Sequence, residues 1–127
     1  MLVTKTVQIQ LISHKKELRE TLGQCLPALN YASRYAHQHN IKTAFGLQEH
    51  IYYDLRQQFH LKSQMAINCL RKVAGIYKAK KNNTCATFDR RSMTLNYPRD
   101  YRLISQNLLS LNTLCGRKKV TFQAGEY

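Results

Sequence analysis

The stretch VTKTVQIQL, residues 3–11, places Thr or Gln at four alternate positions between Val, Lys, Ile and Leu. In an extended chain, Val7, Ile9 and Leu11 would share one face, which is typical of a β-strand with one buried side. A single strand cannot satisfy its own backbone hydrogen-bonding groups. The sequence therefore predicts that this strand pairs with strands from elsewhere in the chain.

The period of the apolar residues changes to three and four after this strand, which predicts an amphipathic helix over about residues 14–39. Ser13 is the expected N-cap, and Asn40 is the expected C-terminal stop. Pro27 removes a backbone donor from the middle of this helix. With Gly23 nearby, we expect a kink or a break between these two residues.

Two further helices are predicted before residue 82. The first follows the N-cap candidate Thr43, and its apolar residues recur at intervals of four: Leu47, Ile51, Leu55 and Phe59. The second begins at Ser63, and its apolar face combines Ala66, Ile67, Leu70, Val73, Ala74 and Tyr77. Its outward side chains should be Gln64, Asn68, Arg71, Lys72 and Lys78. An amide and basic surface of this kind suits a nucleic acid backbone or groove.

The remaining residues favour strands. Residues 87–97 and 101–111 are expected to be extended, with a turn around Pro98 between them, and a last strand should follow a turn at Gly116. The predicted fold is therefore α+β: a small antiparallel sheet or barrel with a three-helix insertion after the first strand. The corresponding parts are residues 1–12, 13–82 and 83–127, in the order first strand, helical insertion and remaining strands.

The charge of the chain is strongly basic and unevenly distributed. Lys and Arg number 20 against 7 Asp and Glu, for a net charge of +13, and residues 71–119 alone carry twelve basic and two acidic side chains. Such an excess favours a polyanionic partner, and nucleic acid is the expected one. The best candidates for phosphate contacts are Arg90, Arg91, Arg117, Lys118 and Lys119. A merely solvated run of charges is the alternative for each.

Other function classes have little support in the sequence. The four cysteines, at positions 25, 69, 85 and 115, are too widely spaced for a zinc site and are interpreted as buried thiols, so no metal or cofactor is expected. No segment approaches the roughly 20 apolar residues of a membrane span, and the N-terminus lacks the apolar core of a signal peptide. We therefore expect a cytoplasmic protein without a membrane partner.

Four tyrosines could stack on bases or pack between helices: Tyr31, Tyr35, Tyr52 and Tyr53.

Three stretches in this order resemble the N-terminal part of the TnpB family of transposon-encoded, RNA-guided nucleases: VTKTVQIQL, SQMAINCLRKVAGIYKAKK and FDRRSMTLNY. The resemblance implies a wedge-like barrel that binds a guide RNA scaffold and a helical insertion that grips target DNA. It also assigns motif reading to the start of the third helix and to a returning strand, at Ser63, Gln64, Ile67, Asn68, Thr94 and Asn96. Ile67 departs from that role because its side chain cannot donate a hydrogen bond.

Catalysis in the TnpB family uses three acidic residues of a RuvC-like domain that binds two divalent metal ions. The few carboxylates of this chain, among them Asp54, Asp89 and Asp100, do not lie in apolar strands of the kind that such a site needs. The resemblance therefore implies a nucleic-acid-binding module without nuclease activity, for structured guide RNA, duplex DNA or both. The catalytic domain would be encoded downstream or in a longer chain.

A second interpretation is a helix-turn-helix-type DNA-binding regulator or a protein-interaction domain. The short link HLK, residues 60–62, between the second and third helices is compatible with such a turn. A regulator of this type should prefer duplex DNA to structured RNA and should usually dimerise.

Overall fold

The structure of the protein, a computed structural model, describes residues 9–80, 82–89, 93, 95, 97 and 99–124. Its elements are β1 (Ile9–Leu11), α1 (Lys15–His39), α2 (Ala44–Gln58), α3 (Ser63–Ala79), β2 (Tyr101–Leu103), β3 (Leu108–Thr113) and β4 (Gly116–Ala124). The predicted α+β class with three helices after the first strand is confirmed.

The four strands form an open antiparallel sheet in the order β1-β4-β3-β2. The first strand therefore lies beside the last, and Leu11 is directly opposite Phe122. The predicted return of the C-terminal part to the first strand is confirmed. The predicted first-strand residues 3–8 lie outside the described part of the chain.

Helix α1 runs without interruption through Pro27, so of the predicted kink or break, the break is wrong. Burial of the residues around the proline, including Cys25 and Leu29, holds the helix together although one backbone hydrogen bond is lost. Asn40 ends the helix in the left-handed conformation, as predicted. Ser13 is not the N-cap: its hydroxyl oxygen accepts a hydrogen bond from the Thr121 amide at 2.8 Å, which ties the start of α1 to β4.

The start of α2 follows the prediction and the start of α3 does not. The Thr43 hydroxyl accepts a hydrogen bond from the Gly46 amide at 3.1 Å and caps α2. The N-cap position of α3 is Lys62, one residue before the predicted cap, and its side chain makes no capping bond. The Ser63 hydroxyl instead forms a 2.7 Å hydrogen bond with the Tyr52 hydroxyl and so joins α3 to α2.

The helices share one core, to which α3 contributes a face rotated from the prediction. Met65 and Cys69 are buried, whereas Ile67 is only half-buried. Cys25 and Cys69 are buried thiols as expected, but the same prediction is wrong for the exposed Cys85 and Cys115. The fully enclosed members of this core include Ala28, Leu29, Ala32, Leu47, Ile51, Leu55, Leu70 and Val73.

Residues 82–89 cross the helices and form no strand, so the predicted strand over 87–97 is wrong at its start. The Asn30 side chain pairs with the Phe88 backbone in both directions, donating to the carbonyl at 2.9 Å and accepting from the amide at 2.8 Å. Tyr77 accepts a 3.0 Å hydrogen bond from the Ala86 amide. These side chains satisfy the backbone groups that a neighbouring strand would otherwise satisfy. Positions 90–92, 94, 96 and 98 lie outside the described residues.

The predicted strand over 101–111 is two strands, β2 and β3, which pair with each other across a turn at residues 104–107. The Ile104 amide donates to the Leu108 carbonyl at 2.9 Å and closes this turn. The predicted turn at Gly116 is confirmed, with φ of 103°. Within the part of the chain that the structure describes, no helix is long and apolar enough to cross a membrane.

Candidate nucleic-acid interface

The strand register separates a mainly apolar face of the sheet from a polar one. Directly opposed residues share a face, and Leu109 pairs with Val120 while Ser110 pairs with Lys119. Leu109, Val120 and Phe122 are buried with Leu111 in a second small core. The other face, called the outer face below, consists of Gln10, Arg102, Leu108, Ser110, Asn112, Arg117, Lys119, Thr121 and Gln123.

Three cations stand on the outer face. Arg102 and Lys119 flank Ser110 in one row across β2, β3 and β4, and Arg117 lies two residues from Lys119 on β4. All three cationic side chains are exposed. Every outer-face residue is described by the structure, and none is Asp or Glu. Within the described strands, no acidic side chain on this face therefore offsets its positive charge.

Arg117 is held in position by two hydrogen bonds. Its Nε donates to Ser110 Oγ at 2.7 Å, and its Nη1 donates to the Arg99 carbonyl at 2.6 Å. The Arg99 guanidinium in turn donates to Gln64 Oε1 at 2.7 Å. The start of α3 is thus connected to the outer face through Arg99.

A second link joins α3 to the sheet. Lys62, which precedes α3, donates from Nζ to Asn112 Oδ1 at 3.0 Å, and Asn112 is the direct partner of Arg117. The junction of the sheet with α3 therefore holds three cations, Lys62, Arg99 and Arg117, and the outer face adds Arg102 and Lys119. This cluster and the outer face are called the basic platform below.

Lys118 does not belong to the basic platform. It pairs with the buried Leu111 and therefore shares the inner face of the sheet, opposite to that of Arg117 and Lys119. Its side chain is half-buried. The structure thus divides the predicted basic run of residues 117–119 between two faces, because side chains alternate along a strand.

The predicted outward position of Asn68 on α3 is wrong. Asn68 is buried, donates from Nδ2 to Asp100 Oδ2 at 3.3 Å, and accepts from Gln64 Nε2 at 3.1 Å. Among the other α3 candidates, Ser63 and Arg71 are exposed and Gln64 is half-buried. Asn68 therefore supports the position of Gln64 rather than offering its own amide to a partner.

Lys72 was also predicted to point outward, and it is half-buried beside two thiols. It lines a small cavity together with Cys25 and Cys69. The hydrogen bond with Cys69 and the positive charge of Lys72 lower the pKa of the Cys25 thiol. The hydrogen bond with Cys25 and burial raise the pKa of Cys69. Lys72 thus lies next to the thiol pair of the helical core.

The other predicted contacts fall outside the described residues: Arg90, Arg91, Thr94 and Asn96. Three residues of the basic platform were not among the binding candidates predicted from the sequence: Lys62, Arg99 and Arg102. Arg102 lies in one cross-strand row with Ser110 and Lys119, and this row is predictable only if the pairing of β2 with β3 and of β3 with β4 is known. Lys62 and Arg99 carry no comparable signal, since their positions depend on how α3 meets the sheet.

Three of the four candidate tyrosines pack on the helical core, and Tyr53 is exposed. Tyr31 donates to Asp54 Oδ2 at 2.9 Å, and partial burial together with this carboxylate raises the Tyr31 pKa. Tyr35 packs on the core and stacks on the His39 ring at 4.2 Å between centroids. Tyr53 is 71% exposed and lies edge-on to Tyr52 at 5.1 Å. Tyr52 is half-buried, packs on the same core and forms a hydrogen bond with Ser63, so among these four tyrosines only Tyr53 is exposed enough to stack on a base.

Within the described residues, no three His, Cys, Asp or Glu side chains are grouped so that they could hold a metal ion. Comparison of the chain with protein-family models, with curated proteins and with solved structures finds no match. The likeness to the TnpB family therefore stays a prediction, and the basic platform has to be interpreted from its own geometry.

Proposed function

We propose that the chain is a nucleic-acid-binding module that contacts the sugar–phosphate backbone with its basic platform. The observation that carries the proposal is the strand register, which projects Arg102, Arg117 and Lys119 from one face without an acidic residue among them. Basic side chains on one face are the electrostatic footprint of a phosphate-binding surface. Two of the five platform cations, Arg117 and Lys119, were also candidates from the sequence.

The energetic reason for binding is the release of counterions. The chain carries a net charge of +13, which disfavours the compact state through self-repulsion and attracts a polyanion. Each phosphate neutralised by Lys or Arg releases condensed cations from the nucleic acid, so affinity should fall as salt rises. The exposed guanidinium of Arg102 adds planar forked donors that match phosphate oxygens. Arg117 already donates from Nε and Nη1 to Ser110 and Arg99, so it offers its charge and its remaining N–H groups.

We further propose that this module belongs to a TnpB-like transposon-associated protein and that its own role is binding, without a catalytic step. Structured guide RNA is the preferred partner under this proposal, and duplex DNA is the second. A RuvC-like catalytic domain would act in the same assembly, and the cytoplasm would be the site of action. Two observations support this assignment. The three stretches that resemble the TnpB family occur in the same order as in that family, and the basic platform lies on the sheet.

The test is a binding titration of the full chain by fluorescence anisotropy. The probes are a labelled RNA hairpin, a DNA duplex of equal length and a single strand, each titrated between 50 and 200 mM salt, because binding to phosphates weakens as salt rises. If three platform cations contact phosphates, the slope of log affinity against log salt should be about −2 to −3. The RNA hairpin should compete better than the random duplex.

The outcomes separate the candidate functions. Affinity that is absent, or that does not depend on salt, would exclude the basic platform as a phosphate-binding surface. A preference for duplex DNA accompanied by dimer formation would instead support a helix-turn-helix-type regulator.

A further inference from the structure

The exposed side of α3 carries a line of polar side chains that starts at the basic platform. Gln64, Arg71 and Lys78 recur at intervals of seven residues, which is close to two helical turns, so they lie above one another. From Gln64 to Lys78 the helix rises by about 21 Å. Arg71 and Lys78 are exposed, and Gln64 is half-buried where it accepts its hydrogen bond from Arg99.

The far end of this line opens into a cleft between the start of α2 and the second half of α3. The cleft has a volume of about 500 Å³ and is lined by Lys42 and Lys78, with Gly75 and Tyr77 between them. Lys42 Nζ lies 5.4 Å above the centre of the Tyr77 ring and 3.5 Å from Asn83 Oδ1. These contacts keep an ammonium group at the edge of the cleft.

Gly75 lies on the exposed side of α3, about one helical turn from Arg71 and from Lys78. Glycine in an exposed helix interior is less favourable than alanine because it loses more backbone entropy on folding. A Cβ atom built on Gly75 meets no heavy atom within 4 Å, so no neighbour in the described structure requires a glycine there. The absence of a side chain leaves open space between Arg71 and Lys78.

We infer that a nucleic-acid strand runs along α3, with its phosphate backbone lying from the basic platform to the cleft at Gly75. Arg71, Lys78 and Lys42 would contact phosphates at intervals along the strand, and Gly75 would allow the sugar–phosphate chain to approach the helix closely. This inference rests on the proposed function and adds the direction of the bound strand.

The distribution of charge favours this direction over a path across α2. Residues 44–58, which form α2, contain Glu49 and Asp54 and only Arg56 as a counter-charge. Residues 63–79, which form α3, contain three cations and no Asp or Glu. A polyanion placed on the platform is therefore attracted along α3 rather than over the neighbouring helix.

The experiment compares steric and charge variants in the anisotropy assay with the RNA hairpin and the DNA duplex. Gly23→Ala is the control for Gly75→Ala, because both glycines lie inside helices and a Cβ meets nothing within 4 Å at either position, although Gly23 is half-buried and Gly75 is exposed. Both should raise the Tm by about 2–5 °C through helix propensity. Only the Gly75 variants should weaken binding, and Gly75→Gln should do so by about tenfold because its side chain fills the approach to the helix.

The charge variants give a second readout. Arg71→Ala and Lys78→Ala should each reduce the magnitude of the salt slope by about 0.7–0.9, as expected for one lost phosphate contact. Unchanged affinity of Gly75→Gln and unchanged slopes of both charge variants would overturn the path along α3. The proposed function would survive that result if Arg117→Ala still reduced the slope, and it would fail as well if no variant altered binding.

Discussion

The side-chain amide of Asn68 donates a 3.3 Å hydrogen bond to the carboxylate of Asp100, and this contact joins α3 to the turn before β2. Both side chains are almost fully buried, at 5% and 2% exposure. The Asp100 carbonyl also accepts from the Asn112 amide at 2.8 Å. Helix α3, the turn and β3 therefore meet at one acidic residue beneath the basic platform.

Replacement of Asn68 by Ala should destabilise the protein rather than its complex with nucleic acid. The carboxylate of Asp100 would lose a buried donor, and a loss of this kind costs about 1–3 kcal/mol in the free energy of unfolding. Urea denaturation followed by circular dichroism measures the change. Arg71→Ala, on the exposed side of the same helix, serves as the control and should alter stability by less than about 0.5 kcal/mol. Normal stability of Asn68→Ala with reduced affinity would instead favour the base-reading role suggested by the sequence.

Asn30 should be a second determinant of stability, because its side chain holds residues 82–89 against the helices. Asn30→Ala leaves both the amide and the carbonyl of Phe88 without their partner, and we expect a loss of about 1–3 kcal/mol. Asn83→Ala is a suitable control in the same segment, since Asn83 makes a long, exposed contact of 3.5 Å with Lys42. Equal denaturation midpoints for the two variants would show that the hydrogen bonds between Asn30 and the Phe88 backbone do not contribute to stability.

Pro27 should be a site at which the protein can be stabilised. Helix α1 is continuous through this exposed residue, so Pro27→Ala would restore a backbone donor and remove the clash between the ring and the carbonyl of Gly23. The expected gain is about 1–3 kcal/mol in the free energy of unfolding. Thermal denaturation of the variant gives the sign directly. A lower Tm for Pro27→Ala would mean that the proline ring makes a packing contribution that its exposure does not suggest.

The helices were predictable because their signals are local. Leu47, Ile51 and Leu55 recur every four residues, and all three are buried as the period requires. Thr43 and Asn40 have side-chain and backbone preferences that mark helix ends in the sequence itself, and both act as predicted. The return of the C-terminal part to the first strand also followed from local reasoning, since an isolated strand needs a partner.

The wrong predictions concern backbone conformation and side-chain burial that depend on contacts between residues far apart in the sequence. The segment around Phe88 has a strand-like composition, but its backbone groups bond to Asn30, which lies 58 residues away in sequence. Asn68 was assigned to the solvent side because a helix pattern does not reveal that a turn containing Asp100 covers it. The basic platform depends on the pairing of β2, β3 and β4, and the sequence alone does not specify that register.

The strand register makes the sharpest prediction for the interface, because adjacent basic residues face opposite sides of the sheet. Arg117→Ala combined with Lys119→Ala should reduce the magnitude of the salt slope by about 1.4–1.8, while Lys118→Ala should leave the slope unchanged. Each variant removes side chains from the same strand, so circular dichroism and Tm must first show that β4 is intact. The single Lys118 variant tests net charge alone, since it lowers the charge without altering the outer face. If Lys118→Ala reduced the salt slope as much, per charge removed, as the combined Arg117 and Lys119 variant, the overall electrostatic field would govern binding rather than contacts on the outer face.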